Sequence, residues 1–213
     1  MPQPTALIIA NSVLPQEAIL AECRQRAQAV ICADGGANRA RERGLLPDFV
    51  VGDLDSVTPA TRAACATAAF IHYPSQYATD LEKALTFAVE CEFGAALLVG
   101  ITGLRCDHQL VNLNIAEKFC ARIALETHDD FGIGSFIMPG PAPAVFASFA
   151  GQQISLIAFR RAAGITTTGL KYPLNHEALE WAVRDGLSNE ALADSFSVAV
   201  EEGNLFCYRV RGD

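Results

Sequence analysis

Three short runs constrain the fold more than anything else in the chain. Residues 6–10 (ALIIA), 29–33 (AVICA) and 95–99 (AALLV) are apolar throughout, with no polar alternation. A strand of that kind has both faces buried, which is the mark of a parallel sheet covered on each side. The intervening segments have helical character. Residues 16–27 have helical composition, and Leu81, Ala84, Leu85, Ala88 and Val89 recur at i, i+3, i+4, i+7 and i+8, one apolar stripe. Val111, Ile115 and Phe119 make a similar stripe, and residues 49–51, 69–72 and 123–125 are shorter strand candidates. Strands alternating with helices predict a three-layer α/β domain built on a parallel sheet.

The pattern changes near residue 130. Residues 131–143 (FGIGSFIMPGPAP) are rich in Gly and Pro and start no helix. Beyond them come short stretches with β-branched or aromatic content at 144–149, 153–159, 164–168, 195–201 and 205–210. This predicts a smaller antiparallel β-domain, with one short helix at 177–184. The boundary falls around 126–135, giving an α/β domain over 1–128 and a β-domain over 135–213. A length of 213 residues accommodates two such units.

Charge and cysteine use narrow the functional classes. Sixteen Lys and Arg against 24 Asp and Glu give a formal net charge of −8, which disfavours nucleic acid or an anionic membrane as the main partner. The longest apolar runs are far short of the ~20 residues of a transmembrane helix, and no signal peptide is expected. Seven cysteines without a C-x-x-C pair predict buried free thiols and a cytoplasmic protein.

Ligands of open parallel sheets bind at the carboxyl ends of the strands. Here those ends carry Asp34-Gly35-Gly36-Ala37-Asn38, Gly52-Asp53-Leu54-Asp55-Ser56, Thr79-Asp80-Leu81-Glu82-Lys83 and Gly103-Leu104-Arg105-Cys106-Asp107-His108. Each acid alone has an ordinary structural role. Asp53 and Asp55 suit a turn, and Thr79-Asp80-Leu81-Glu82 fits a capping box. Four acidic turns at one sheet edge are a different matter. Carboxylates gathered there repel one another unless a hard divalent cation neutralises them, and Mg²⁺ also bridges to phosphate. Gly35-Gly36 and Gly100-x-x-Gly103 would let backbone amides approach a phosphate. Arg105 is either a phosphate clamp or a surface salt bridge. Lys83 is expected to be solvated, Cys106 to be a packing residue, and His72 and His108 to be structural.

In this order the motifs resemble the thiamine pyrophosphokinase (thiamine diphosphokinase) family. Thr166-Thr167-Thr168-Gly169-Leu170-Lys171-Tyr172-Pro173-Leu174 and Leu187-Ser188-Asn189-Glu190 extend the resemblance into the second half. It implies an N-terminal α/β domain, a C-terminal β-sandwich, and a homodimer with sites shared between chains. The reaction implied moves the pyrophosphoryl group of ATP to the hydroxyl of thiamine, with Mg²⁺, giving thiamine diphosphate and AMP. Matched by position, Asp53, Asp55 and Asp80 are the metal-binding acids, and Asp34, Gly35, Gly36, Asn38, Gly103 and Arg105 face the nucleotide. Arg105 and Asp107 also join the catalytic set. Gln76, Tyr172, Ser188 and Asn189 match the thiamine pocket. Two departures stand out. Leu54 replaces a frequent Phe, and Tyr172 stands where some members have Trp.

The substrate itself supplies the nucleophile, so no covalent Ser or Cys is needed. Either Asp80 or Asp107 could accept the hydroxyl proton. Two alternatives use the same residues: a metal-dependent nucleotide phosphohydrolase, and a non-catalytic thiamine or nucleotide sensor.

Overall fold

A computed structural model describes residues 3–75 and 77–212; Gln76, assigned to the thiamine pocket, lies outside the described residues. The chain forms two compact units that divide between Asp130 and Phe131.

In the first unit, β1 (Thr5–Ile9), β2 (Ala29–Ala33), β3 (Phe49–Gly52), β4 (Ala69–His72), β5 (Ala95–Val99) and β6 (Ala124–His128) alternate with five helices. These are α1 (Glu17–Arg26), α2 (Gly36–Glu42), α3 (Pro59–Ala64), α4 (Asp80–Glu90) and α5 (Cys106–Phe119). The strands are all parallel and lie in the order β4-β3-β2-β1-β5-β6. Ala6, Leu7, Ile8 and Ile9 of β1 are all 0% exposed. Successive strand residues face opposite ways, so both faces of the sheet are covered. One core gathers Leu7, Ile9, Val30 and Leu97 with Leu20 and Cys23 of α1 and Ala37 and Ala40 of α2. Each large side chain buried in this way contributes roughly 1.5–3 kcal/mol. The α4 stripe packs as its spacing predicts, with Leu81, Ala84, Leu85 and Ala88 buried. On α5 only Ile115 and Phe119 of the expected stripe are buried; Val111 is exposed and lines a cavity instead.

The second unit has β7 (Gly132–Ile137), β8 (Ala144–Ala147), β9 (Gln153–Ile157), β10 (Arg161–Thr168), β11 (Glu177–Glu180), β12 (Gly186–Glu190), β13 (Ser195–Ala199) and β14 (Leu205–Val210). Antiparallel sheets β12-β9-β14-β7 and β11-β10-β13-β8 enclose one core. Ile154, Leu156 and Leu205 of one sheet meet Ile165, Leu179 and Val198 of the other there, which makes a β-sandwich. The helix expected at 177–184 is instead strand β11 followed by a tight turn. Pairing with β10 sets Leu179 opposite Ala162 and buries it completely, and Ala182 adopts φ 62° in the turn. Strand β7 was masked in the sequence by its glycines. A Cβ at Gly132 would lie 2.5 Å from the Tyr208 ring, so glycine there permits the pairing with β14.

Five cysteines (Cys23, Cys32, Cys65, Cys120 and Cys207) are buried free thiols, while Cys91 and Cys106 are exposed. Among the described residues no helix is long and apolar enough to cross a membrane.

One charged cluster braces β6 to α1. Glu126 Oε2 accepts from Arg26 Nη2 at 2.5 Å and lies 3.2 Å from Nε2 of the buried His128. The His128 hydrogen bond, aided by Arg26 against the opposing effect of burial, pulls the Glu126 carboxyl down from 4.5 to about 2. A depressed acid stabilises the fold fully above its unfolded value and loses that contribution as pH falls towards its folded value. Glu126→Gln is therefore expected to lower unfolding stability near neutral pH, with the difference from the parent shrinking between about 4.5 and about 2. Chemical denaturation across that range reads it; a difference that stays constant would contradict the assignment.

Candidate active site

The acidic edge is built where β2 and β3 end and α4 begins. Asp34 directly follows β2, donates its backbone N–H to Val51 O at 2.9 Å, and is only 1% exposed. Its φ is 42°, and Leu54 in the next loop has φ 67°. Left-handed backbone at a residue with a Cβ costs on the order of 1–3 kcal/mol and persists only where the surroundings enforce it. Here Ser56 N–H donates to Asp34 Oδ2 at 3.3 Å. Asn38 Nδ2 donates to Ser56 O at 2.8 Å, and Asn38 Oδ1 accepts from Thr58 N–H at 3.2 Å. Both ends of the Asn38 amide thus brace the loop that carries Asp53 and Asp55. Asp80 enters through the first turn of α4, where Thr79 Oγ1 caps Glu82 N–H at 3.3 Å. The Glu82 carboxylate pairs with Lys118 at 2.5 Å, away from the capping box expected for it.

Oxygens of Asp34, Asp53 and Asp80 lie within 4.8 Å of one another. Asp55 stands outside this trio, exposed, with its Oδ1 accepting from Ser56 Oγ at 3.0 Å. Lys83 is not solvated. It is 4% exposed, and its Nζ reaches Asp80 Oδ1 at 3.0 Å and Asp53 Oδ2 at 3.4 Å. Burial alone would lower the Lys83 ammonium pKa, but the hydrogen bonds and charges of Asp80 and Asp53 outweigh it and leave the value raised. The Asp34 carboxyl is also raised. Burial leads, the charges of Asp80 and Asp53 add to it, and hydrogen bonding from Ser56 opposes it. The Lys83 ammonium pairs with two of the three carboxylates, and the buried Asp34 Oδ1 has no hydrogen-bond partner among the described residues. An oxygen-rich, under-neutralised cluster of this kind fits Mg²⁺.

The cluster opens into a cavity of about 770 Å³, within the range of small-molecule sites. Its walls include Asn11 and Ser12 after β1, Gly100 after β5, and Asp53, Asp80, Lys83, Arg105, Asp107 and His108. Strand order reverses between β1 and β5, and that switch point is where such sheets bind ligands. Ser12 Oγ donates to Thr102 O at 2.6 Å, tying the two loops together there.

Arg105 and Asp107 form a two-pronged pair at 3.1 and 2.7 Å, exposed on the cavity wall. Arg105 chiefly draws the Asp107 carboxyl down to about 2. Gly35 and Gly36 are buried. A Cβ on them would lie 2.3 Å from Asn11 Nδ2 and 2.1 Å from Ile9 O, so glycine here lets the start of α2 close on β1 and the loop after it. A Cβ on Gly103 would crowd Val13 in the same way, at 2.8 Å. Cys106, expected to pack inside, is exposed at the start of α5. His72 and His108 are exposed as well.

In the second unit Tyr172 is 64% exposed. Asn189 is buried, and its amide holds the Tyr172 backbone at both ends: Oδ1 accepts from Tyr172 N–H at 3.1 Å and Nδ2 donates to Tyr172 O at 2.7 Å. Ser188 is exposed with φ 55°, and its N–H donates to Ser155 Oγ at 3.1 Å. Lys171 Nζ lies 5.9 Å from the centre of the Tyr172 ring and pairs with Glu190 at 2.8 Å.

Sequence reasoning missed Arg39 on the cavity wall, and it gave no role to Asn11-Ser12, which stands there where the family often has a Gly-rich turn. Arg39 follows Asn38 in a motif already singled out, and its basic charge beside the acids was the available signal.

Residues 20–125 match the family described as thiamin pyrophosphokinase, catalytic domain, and residues 146–205 match thiamin pyrophosphokinase, vitamin B1 binding domain. The chain is 29% identical over 227 aligned positions to thiamine pyrophosphokinase 3 of Oryza sativa subsp. japonica, covering 92% of this chain and 82% of that protein. It is 28% identical over 184 positions to the thiamine pyrophosphokinase of Bacillus subtilis strain 168, covering 84% and 86%. The crystal structure of thiamine pyrophosphokinase from Bacillus subtilis is similar with a TM-score of 0.83 at 26% identity, over 98% of this chain and 100% of that one. Thiamin pyrophosphokinase from Candida albicans shares the fold with a TM-score of 0.85 at 16% identity, over 99% and 90%. One family match falls on each structural unit, and the acids at the sheet edge lie within or beside the motifs that carry the resemblance: the chain belongs to the thiamine pyrophosphokinase family.

Proposed function

We propose that this protein transfers the pyrophosphoryl group of ATP to the hydroxyl of thiamine, releasing thiamine diphosphate and AMP. The observation that carries the reading is the trio Asp34, Asp53 and Asp80, of which Asp53 and Asp80 pair with Lys83 and line a nucleotide-sized cavity with it. Those three acids would hold Mg²⁺, with Asp55 on the exposed side of the same loop available to it. When bound, the metal neutralises the polyphosphate and favours attack at phosphorus. Lys83 fixes Asp53 and Asp80 so that they need not reorganise during the reaction. Arg105 can exchange Asp107 for a phosphate, which offers the same two-pronged geometry. Asp80 or Asp107 accepts the hydroxyl proton. Tyr172 offers an aromatic face to the thiazolium cation, with Ser188 assigned to the same pocket; Gln76, assigned there too, lies outside the described residues. Asn189 acts by fixing the Tyr172 backbone. The buried thiols support a cytoplasmic enzyme.

Incubation with ATP, Mg²⁺ and thiamine is expected to yield AMP and thiamine diphosphate in equal amounts. Nucleotide cleavage without thiamine would favour a phosphohydrolase, and binding without turnover a sensor.

The acids and the Tyr172 motif lie in separate units, and we place them together in a homodimer, each site taking one unit from each chain. Asp80→Asn and a Tyr172→Ala, Ser188→Ala double variant, each inactive, are expected to recover roughly a quarter of parental activity after subunit exchange. Half of randomly paired dimers are mixed, and each mixed dimer holds one intact site. No recovery despite proven exchange would place each site within one chain.

A further inference from the structure

Tyr77 stands fully in solvent, 103% exposed, yet it lines the acidic cavity beside Ala78, Thr79 and Asp80. A single exposed ring is ordinary on a protein surface. One on a cavity wall is placed against whatever fills the cavity. Its mount is fixed while the ring is uncovered. Tyr77 N–H donates to Ser75 Oγ at 3.3 Å. Two residues on, Thr79 Oγ1 accepts from Glu82 N–H at 3.3 Å and Thr79 O accepts from Lys83 N–H at 2.9 Å. The backbone that carries the ring is thus tied to the helix that carries Asp80. The charge nearby favours a cation. Asp53 and Asp80 share the Lys83 ammonium, and Arg105 is engaged by Asp107.

We infer that Tyr77 is a specificity residue for the acceptor: its ring covers the thiazolium and makes the α/β unit itself select a cationic alcohol. The inference rests on the reading of thiamine as acceptor. Reach decides which substrate meets the ring. Tyr77 precedes Asp80 by three residues, about 10 Å of chain at most, and Asp80 is assigned to the metal at which the hydroxyl attacks. In thiamine two methylenes join the reacting oxygen to the thiazolium, so the cation stays close to the acids. The adenine of the donor is held off from the β-phosphorus by an α-phosphate and a ribose. A tyrosine face attracts a cation through its quadrupole, more strongly once water is displaced. A neutral ring of the same shape gains only from the area it buries. Tyr77 therefore supplies a second ring for the cation assigned to Tyr172, from the unit that holds the acids.

The test compares thiamine with an analogue in which a neutral thiophene replaces the thiazolium and the hydroxyethyl arm is kept. The ratio kcat/KM is measured for each as acceptor, with KM for ATP alongside. Calorimetric binding of thiamine gives a readout independent of turnover. Position 77 is exposed and outside any helix or strand, so substitution there leaves the core intact. Tyr77→Leu keeps apolar bulk and loses the ring. It is expected to weaken thiamine binding, and to lower kcat/KM for thiamine, about tenfold, with the analogue and KM for ATP little changed. Tyr77→Phe keeps the ring face and should match the parent. An equal fall for thiamine and the analogue would reduce Tyr77 to an apolar contact and overturn the selection of charge. A rise in KM for ATP alone would move the ring to the donor. Losses as large in Tyr77→Phe as in Tyr77→Leu would assign the effect to the hydroxyl instead. A parent that neither binds nor converts thiamine would sink the assigned reaction and the inference with it. A parent that converts thiamine, with a Tyr77→Leu variant that prefers thiamine over the analogue just as strongly, would sink the inference alone.

Discussion

Asp53→Asn is expected to leave a folded protein whose turnover is lower by at least ~10²-fold, because a metal clamp contributes several kcal/mol in phosphoryl transfer. The amide keeps the shape of the side chain and can still accept from Lys83, which lies 3.4 Å from Asp53 Oδ2. What it lacks is the charge that holds a divalent cation. Initial rates at saturating ATP and thiamine, taken across a Mg²⁺ titration, measure the loss. Near-normal Mg²⁺-dependent turnover would exclude Asp53 as a ligand.

Lys83→Met should act on stability and on metal affinity in opposite directions. The Lys83 side chain is 3% exposed, and its ammonium is the cation that separates Asp53 from Asp80. Removing one member of a buried ionic cluster typically destabilises by 3–5 kcal/mol. Asp80 is 40% exposed, so water absorbs part of the loss, and about 2–3 kcal/mol is expected. Added Mg²⁺ should recover much of that stability, since a cation then re-enters the carboxylate cluster. Apparent Mg²⁺ affinity should rise while turnover falls, because the acids are freer to bind metal and less well held. Urea unfolding with and without Mg²⁺ reads both effects. A variant as stable as the parent, with no Mg²⁺ dependence, would show that the ammonium does not organise the acids.

The sheet was legible because its signals are local. An uninterrupted apolar run such as 95–99 states by itself that both faces are buried, and the α4 stripe states its own orientation. The acids were legible for a related reason: each follows a strand, and parallel strands end on one edge. What was not legible depends on partners remote in sequence. Lys83 reads as a surface residue until Asp53, thirty positions earlier, is brought to it. The bracing role of Asn38 is invisible until Ser56 and Thr58, 18 and 20 positions on, take up both ends of its amide. That Gly36 also has a packing role shows only when Ile9 O is found where its Cβ would be. Residues 177–184 fail differently. A four-residue strand and a turn contain too few apolar positions to distinguish a period of two from one of 3.6, and only the pairing with β10 decides.

The hold of Asn189 on Tyr172 has a consequence for how this protein can change. Both hydrogen bonds go to main-chain atoms of residue 172, so the bracket is indifferent to the ring it carries. One codon can widen or narrow the aromatic face while its mounting stays the same. With Tyr172 in the acceptor pocket as proposed, acceptor preference becomes a trait on which selection, or an engineer, can act in single steps without reopening the acidic centre.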